Sequence, residues 1–113
     1  MAVEFDSGLF PLGWITTTPG NPVDFFANYP QLRSQNFTCN QFIIQAGSDN
    51  LGRIYIGNQR LNTATGEGLI VVLANPCDII AFSTIAGNVY RLSDYRMDVE
   101  TAGDGVLVTV YVR

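Results

Sequence analysis

The chain has 113 residues with a formal net charge of −4, and 47% are hydrophobic while only 14% are charged. That length suits one domain around a single core, and the composition excludes a disordered chain. Histidine and lysine are both absent. Their absence removes His-dependent triads, His metal ligands, Schiff-base lysines and the phosphate-loop lysine. The arginines (33, 53, 60, 91, 96 and 113) are scattered rather than clustered, so phosphate neutralisation along a nucleic acid is not expected. No apolar run approaches the ~20 residues of a membrane-spanning helix. The opening Met-Ala-Val-Glu-Phe-Asp is acidic where a signal peptide carries basic residues, so the expectation is a soluble product made in the cytoplasm.

Four of the five prolines (Pro11, Pro19, Pro22 and Pro30) fall within residues 1–35. Proline withholds a ladder donor and restricts its predecessor, so this third is predicted to be an irregular N-terminal arm. One short helix is predicted over 22–28, with Asn21 as N-cap, Pro22 at the first helical position and Asp24 in the first turn. The same third carries Phe5, Phe10, Trp14, Phe25, Phe26 and Tyr29. Such groups either close one end of the chain's own core or pack on a neighbouring subunit. With Arg60 they are the candidate interface residues. Residues 1–20 in particular are expected to reach past the body and dock on a partner.

From residue 36 to 113 the pattern is strands. "FTCNQFIIQA" (37–46), "RIYI" (53–56), "LIVVLA" (69–74), "CDIIAFST" (77–84), "VYRL" (89–92), "YRMDVE" (95–100) and "VLVTVYV" (106–112) are β-rich runs separated by turn residues. This spacing predicts an all-β antiparallel β-sandwich, jelly-roll-like or a small barrel. Asp104-Gly105 between two runs is a hairpin signal. In the last run Val106, Val108, Val110 and Val112 share one face, and Leu107, Thr109, Tyr111 and Arg113 the other. Both faces are largely apolar, which predicts a central strand covered on its second side by another sheet or another subunit. "LIVVLA" has the same character, so these two runs are expected to anchor the fold. The stretch between "RIYI" and "LIVVLA" reads as a long polar loop.

Little in the sequence carries chemistry. Asp98 and Glu100 share a strand face as an acid/base pair would, but a solvated edge explains them as well. "TGEG" (65–68) opens a strand rather than a helix, lacks a basic follower and holds Glu67, so it does not cradle phosphate. Asp49, Asp104 and Glu67 lack calcium-loop spacing. Cys39 and Cys77 are read as two reduced core thiols. No catalytic residue, cofactor or metal is expected.

Residues 53–113 resemble a pattern in small virion proteins of tailed bacteriophages. It is carried by Ile54-Tyr55-Ile56-Gly57, Asn62-Thr63-Ala64-Thr65-Gly66, Asn75-Pro76-Cys77-Asp78-Ile79-Ile80 and the terminal Asp104-Gly105-Val106-Leu107-Val108-Thr109-Val110-Tyr111. The connection "FSTIAGNVYRLSDYRM" is longer than the pattern has. The resemblance implies a capsid decoration (cement) protein: β-rich, homotrimeric, located on the virion surface and bound to the major capsid protein or another virion protein. It also implies that "GNQRLNTATGEG" is a wide connection whose tip meets a neighbour. Two other readings stand beside it. One is a carbohydrate-binding fibre module using Trp14, Tyr55, Tyr90 and Tyr95 as stacking platforms, and the other a neck or tail completion protein.

Overall fold

The computed structural model describes residues 8–83 and 89–112. In chain order the strands are β1 (Gly8–Thr16), β2 (Thr38–Cys39), β3 (Gln41–Ala46), β4 (Ile54–Asn62), β5 (Glu67–Leu73), β6 (Ile79–Ser83), β7 (Tyr90–Arg91), β8 (Tyr95–Val99) and β9 (Gly105–Val112). Two short 3-10 turns, Pro30–Ser34 and Leu92–Asp94, are the described helical segments. Every strand pairing is antiparallel. One sheet runs β1-β9-β3-β6, the second β5-β4-β8, and β2 pairs with β7 at one end. The fold is an all-β antiparallel sandwich.

Alternation builds the core. Phe42, Ile44 and Ala46 of β3 and Val106, Val108 and Val110 of β9 are buried, and they share one cluster with Ile54 and Ile56 of β4 and Met97 and Val99 of β8. Each fully buried side chain of this size contributes roughly 1.5–3 kcal/mol. Phe42 stacks on Phe82 with ring centroids 4.5 Å apart, and Tyr90 and Tyr95 close around that pair. β9 lies between β1 and β3, the central position its two-sided apolar pattern implied.

Among the described residues, the N-terminal third opens on a strand, and the expected irregular course holds only for residues 17–37, apart from one bridge and one 3-10 turn. β1 pairs with β9 from Gly8↔Val112 to Thr16↔Gly105 and buries Leu12 and Ile15. It tolerates Pro11 because it is an edge strand, where a missing N–H need not leave a gap in the ladder, and the register shifts between Pro11 and Gly13. The described part of the supposed arm, from Gly8 onward, is therefore continuous with the body, and the boundary at residue 36 disappears. Residues before Gly8, Phe5 among them, lie outside the described residues.

The helix expected over 22–28 is absent. Val23 forms a two-bond bridge with Met97 instead (Val23 N to Met97 O 3.0 Å, Met97 N to Val23 O 2.9 Å), which commits its backbone to β8. The 3-10 turn begins at Pro30, the residue expected to end a helix.

Asp104-Gly105 does not close a hairpin. β8 and β9 belong to different sheets, so residues 100–104 carry the chain across the sandwich. The Asp104 carboxylate is engaged by the loop before β4, accepting from Leu51 N at 3.0 Å and Gly52 N at 2.7 Å. Asn50 adds a reciprocal pair with Gly105, through Nδ2 to Gly105 O at 2.8 Å and Oδ1 from Gly105 N at 3.1 Å.

β4 continues to Asn62, so the long polar loop is largely strand. Opposite it, β5 skips from Leu69 to Glu67 while β4 runs from Gly57 to Asn62; residues 58–61 bulge outward across Gly68. Gly68 has φ +71, and a Cβ there would collide with the Asn58 side chain and with backbone atoms of Arg60 and Leu61. β5 itself is an edge strand with Leu69, Ile70 and Val72 exposed. It anchors the core through Leu73 rather than through both faces.

Candidate docking surface

The outer face of the four-stranded sheet follows from register and alternation. Leu9, Tyr111, Gln41 and Ser83 are aligned across β1, β9, β3 and β6. One row further, Pro11, Thr109, Ile43 and Ala81 align, and the next row is Trp14, Leu107, Gln45 and Ile79. All lie opposite in pleat to the buried positions of the same strands. Leu9, Leu107 and Ile79 are 66%, 47% and 61% exposed, so this is an open apolar surface and not a second core. None of these outward positions bears a charge. With strands ~4.8 Å apart and ~3.4 Å per residue, the face covers on the order of 400 Å². That is the size of the largest patch on an ordinary monomer, which is often a functional one.

Trp14 closes one end of the face. Its ring lies against the backbone of two glycines: a Cβ on Gly47 would come within 2.6 Å of Cη2, and one on Gly105 within 2.7 Å of Cζ2. The side chain is fixed in this position while remaining 42% exposed, as a pre-ordered anchor requires.

The other candidate interface residues separate. Phe25 and Phe26 are fully buried in the core and face no partner; they close the chain's own core, as one of the two readings held. Phe10 and Tyr29 pack edge to face with centroids 5.3 Å apart, both half-buried. Arg60 stands exposed on the bulge of β4, beside Asn58, Gln59 and Asp94 around an open hollow of about 250 Å³. Gln59 Nε2 reaches Ser93 O and Asp94 Oδ1, both at 3.4 Å. Arg60 lies on the three-stranded sheet, apart from the uncharged face.

Asp98 and Glu100 part company: Glu100 is exposed beyond the end of the edge strand β8, as a solvated edge implies, and Asp98 is not. Asp98 is buried, with Oδ1 accepting from Gly20 N at 3.2 Å and Val99 N at 2.8 Å, beside a second hollow of about 180 Å³. Glu100 accepts from Arg53 N at 3.2 Å and from the Tyr55 hydroxyl at 3.4 Å. Both carboxylates hold loops in place. No group of three or more His, Cys, Asp or Glu positioned for a metal occurs among the described residues.

The proposed stacking platforms are dispersed too. Tyr90 and Tyr95 belong to the Phe42–Phe82 cluster, and Tyr90 donates to Ser83 O at 2.9 Å. Both cysteines are free. Cys39 is buried, and burial pushes its thiol up to about 12. Cys77 is exposed, at φ +66, so it is not the core thiol expected.

Sequence reasoning found half of this open face. The apolar second side of β9 pointed to it through Leu107, but Leu9, Ile43 and Ile79 join Leu107 only through strand order and register, which no local pattern encodes. The chain is thus an antiparallel β-sandwich with one open sheet face that carries no charge at its described positions. No protein-family model, no curated protein and no solved structure matches it.

Proposed function

We propose that the chain is a non-enzymatic structural protein of a tailed-phage virion, a capsid decoration protein that docks on neighbouring shell subunits through the outer face of its four-stranded sheet. The observation that carries the reading is that face: without charge at its described positions and flanked by a half-exposed Trp14, in a chain with net charge −4. The resemblance of residues 53–113 to small virion proteins supplies the class of assembly. A decoration protein needs a firm body and a surface matched to a repeating lattice. Each contact is modest, and repetition over the lattice raises the total through avidity. Binding to the assembled shell in turn stabilises the bound fold by mass action.

The test is co-sedimentation with empty shells assembled from the major capsid protein of the virion that the proposal assigns. The wild-type chain is expected in the pellet at saturable stoichiometry, and Leu107→Glu, which puts a charge beside Trp14 at one end of the face, in the supernatant. Wild-type chain that stays in the supernatant contradicts the assignment.

A further inference from the structure

We propose that the hollow in front of the Asp98 carboxylate binds a guanidinium group, carried by a small cation or by an arginine side chain of a partner chain. The inference does not depend on what meets the open face of the four-stranded sheet, because Asp98 belongs to β8 of the three-stranded one.

Three segments build the site. Asp98 stands between Met97 and Val99, both of which face the core, so alternation turns it to the outer side of its sheet. The chain leaving β1 passes over it with Gly20 and Pro22, and the bridge of Val23 to Met97 fixes that path. The end of β4 and the turn after it add Leu61, Thr63 and Ala64. Asp98 is thereby only 1% exposed, at the edge of a hollow of about 180 Å³. That is room for several water molecules or for one small organic group.

The two carboxylate oxygens are used unequally. Oδ1 accepts from Gly20 N at 3.2 Å and Val99 N at 2.8 Å. The described contact of Oδ2 is the Thr63 hydroxyl at 3.5 Å, beyond the ordinary range of such bonds. Among the described residues the one ion pair is Arg33 with Asp24, so no described arginine neutralises Asp98. Arg96, two residues away on the same strand, is held by the carbonyls of Ser93 at 2.6 Å and Tyr95 at 2.8 Å. A buried carboxylate without a counter-charge is costly, and a cation entering the hollow relieves that cost.

The walls choose the cation. One carboxylate and one hydroxyl fall well short of the oxygen shell that calcium gathers. Pro22, Leu61 and Ala64 are apolar and favour an alkyl stem, which a metal ion lacks. The planar fork of a guanidinium reaches two acceptors at once. Asp98 Oδ2 and Thr63 Oγ1, 3.5 Å apart, form such a pair, since a hydroxyl oxygen accepts while its hydrogen stays directed at the carboxylate. An ammonium is more compact and more strongly hydrated, so it gains less between these walls.

Amide NMR spectra of the isotope-labelled chain, titrated with ethylguanidinium at constant ionic strength, test this. The expected result is a saturable shift of the Gly20, Thr63 and Val99 amides, with a dissociation constant on the order of millimolar. Asp98→Asn keeps the shape and an acceptor for Gly20 and is expected to weaken binding on the order of tenfold. Thr63→Val is expected to weaken it about fivefold, and Asp94→Asn, at the other hollow, to leave it unchanged. Calcium chloride and methylammonium are expected to move these amides little. Absence of a saturable shift overturns the proposal, because the carboxylate is then satisfied within the chain. Binding that survives Asp98→Asn in a chain with an otherwise unchanged spectrum overturns it, as does equal binding of calcium or methylammonium. The blocked peptide acetyl-Gly-Arg-Gly-amide separates the two sources. Saturable shifts at the same amides assign the site to a partner's arginine, and exclusion of the peptide while ethylguanidinium enters assigns it to a small guanidinium compound.

Discussion

The indole of Trp14 rests on the backbone of Gly105, so closely that a Cβ at position 105 would lie 2.7 Å from Cζ2 and overlap the carbonyl oxygen of Ile15. The second obstacle is main chain and cannot swing aside. Gly105→Ala must part β1 from β9 or expel the indole. Overpacking of this kind costs about 1–3 kcal/mol, and the expected result in urea denaturation is a midpoint lowered accordingly. Trp14 fluorescence should shift towards that of a solvated indole. An unchanged midpoint and spectrum would show that the ring is not seated on Gly105.

Asp104 ties the loop before β4 to the start of β9 by accepting from Leu51 and Gly52. Asp104→Ala leaves those N–H groups without their acceptor. The expected loss is about 2–3 kcal/mol, with amide exchange faster at Leu51 and Gly52. Asp104→Asn retains one acceptor oxygen and is expected to lose less.

These two relationships also show where the sequence was legible. Runs of Val, Ile, Phe and Tyr announced β3 to β9, because alternation and turn residues are local signals, except that the polar second half of β4, to Asn62, was not among them. β1 was hidden because Pro11 reads as a breaker, and the register shift lies between it and Gly13. They are compatible with an edge strand and a bulge, but edge position is decided by the neighbour, β9. Asp104-Gly105 misled for a related reason. The dipeptide was read as a tight turn, yet the aspartate caps a distant loop and the glycine makes room for Trp14. The candidate site was half visible: Leu107 was apparent from β9 alone, whereas Leu9, Ile43 and Ile79 required the order β1-β9-β3-β6.

The two thiols should differ sharply. Burial pushes the Cys39 thiol up to about 12, so at neutral pH it is protonated and shielded, while Cys77 is exposed. A thiol-specific disulfide reagent is expected to titrate one cysteine promptly in the folded chain and the second only in denaturant. The raised folded value also fixes a pH dependence. Its contribution to stability is complete below the ordinary thiol value near 9 and is lost as pH climbs from there towards 12. Two equally fast thiols would contradict the placement of Cys39.

Asp24 gives the acid counterpart. Burial raises its carboxyl, but the Arg33 hydrogen bond, the Phe26 N–H and the charges of Arg33 and Arg96 outweigh that and hold it below its ordinary value. The pair is short, with Arg33 Nε to Asp24 Oδ2 at 2.7 Å and Nη2 to Oδ1 at 3.0 Å. A depressed folded value means the stabilisation is present above the unfolded value of about 4 and disappears as pH falls through the folded one. Arg33 is half exposed, so Arg33→Ala is expected to cost only about 0.5–1 kcal/mol at pH 7. That difference from wild type should vanish in strong acid. A difference that persists there would assign the loss to packing.

The central claim, that the outer face of the four-stranded sheet is the docking surface, is tested most directly by oxidative side-chain footprinting of the chain free and bound to capsid shells. Leu9, Trp14, Leu107 and Ile79 are exposed in the free chain, as is Ile70 on β5 of the other sheet. The expected result is strong protection of Leu9, Trp14, Leu107 and Ile79 on binding, with Ile70 labelled as before. Bound chain in which Leu107 and Ile79 still label at the free rate would contradict the account.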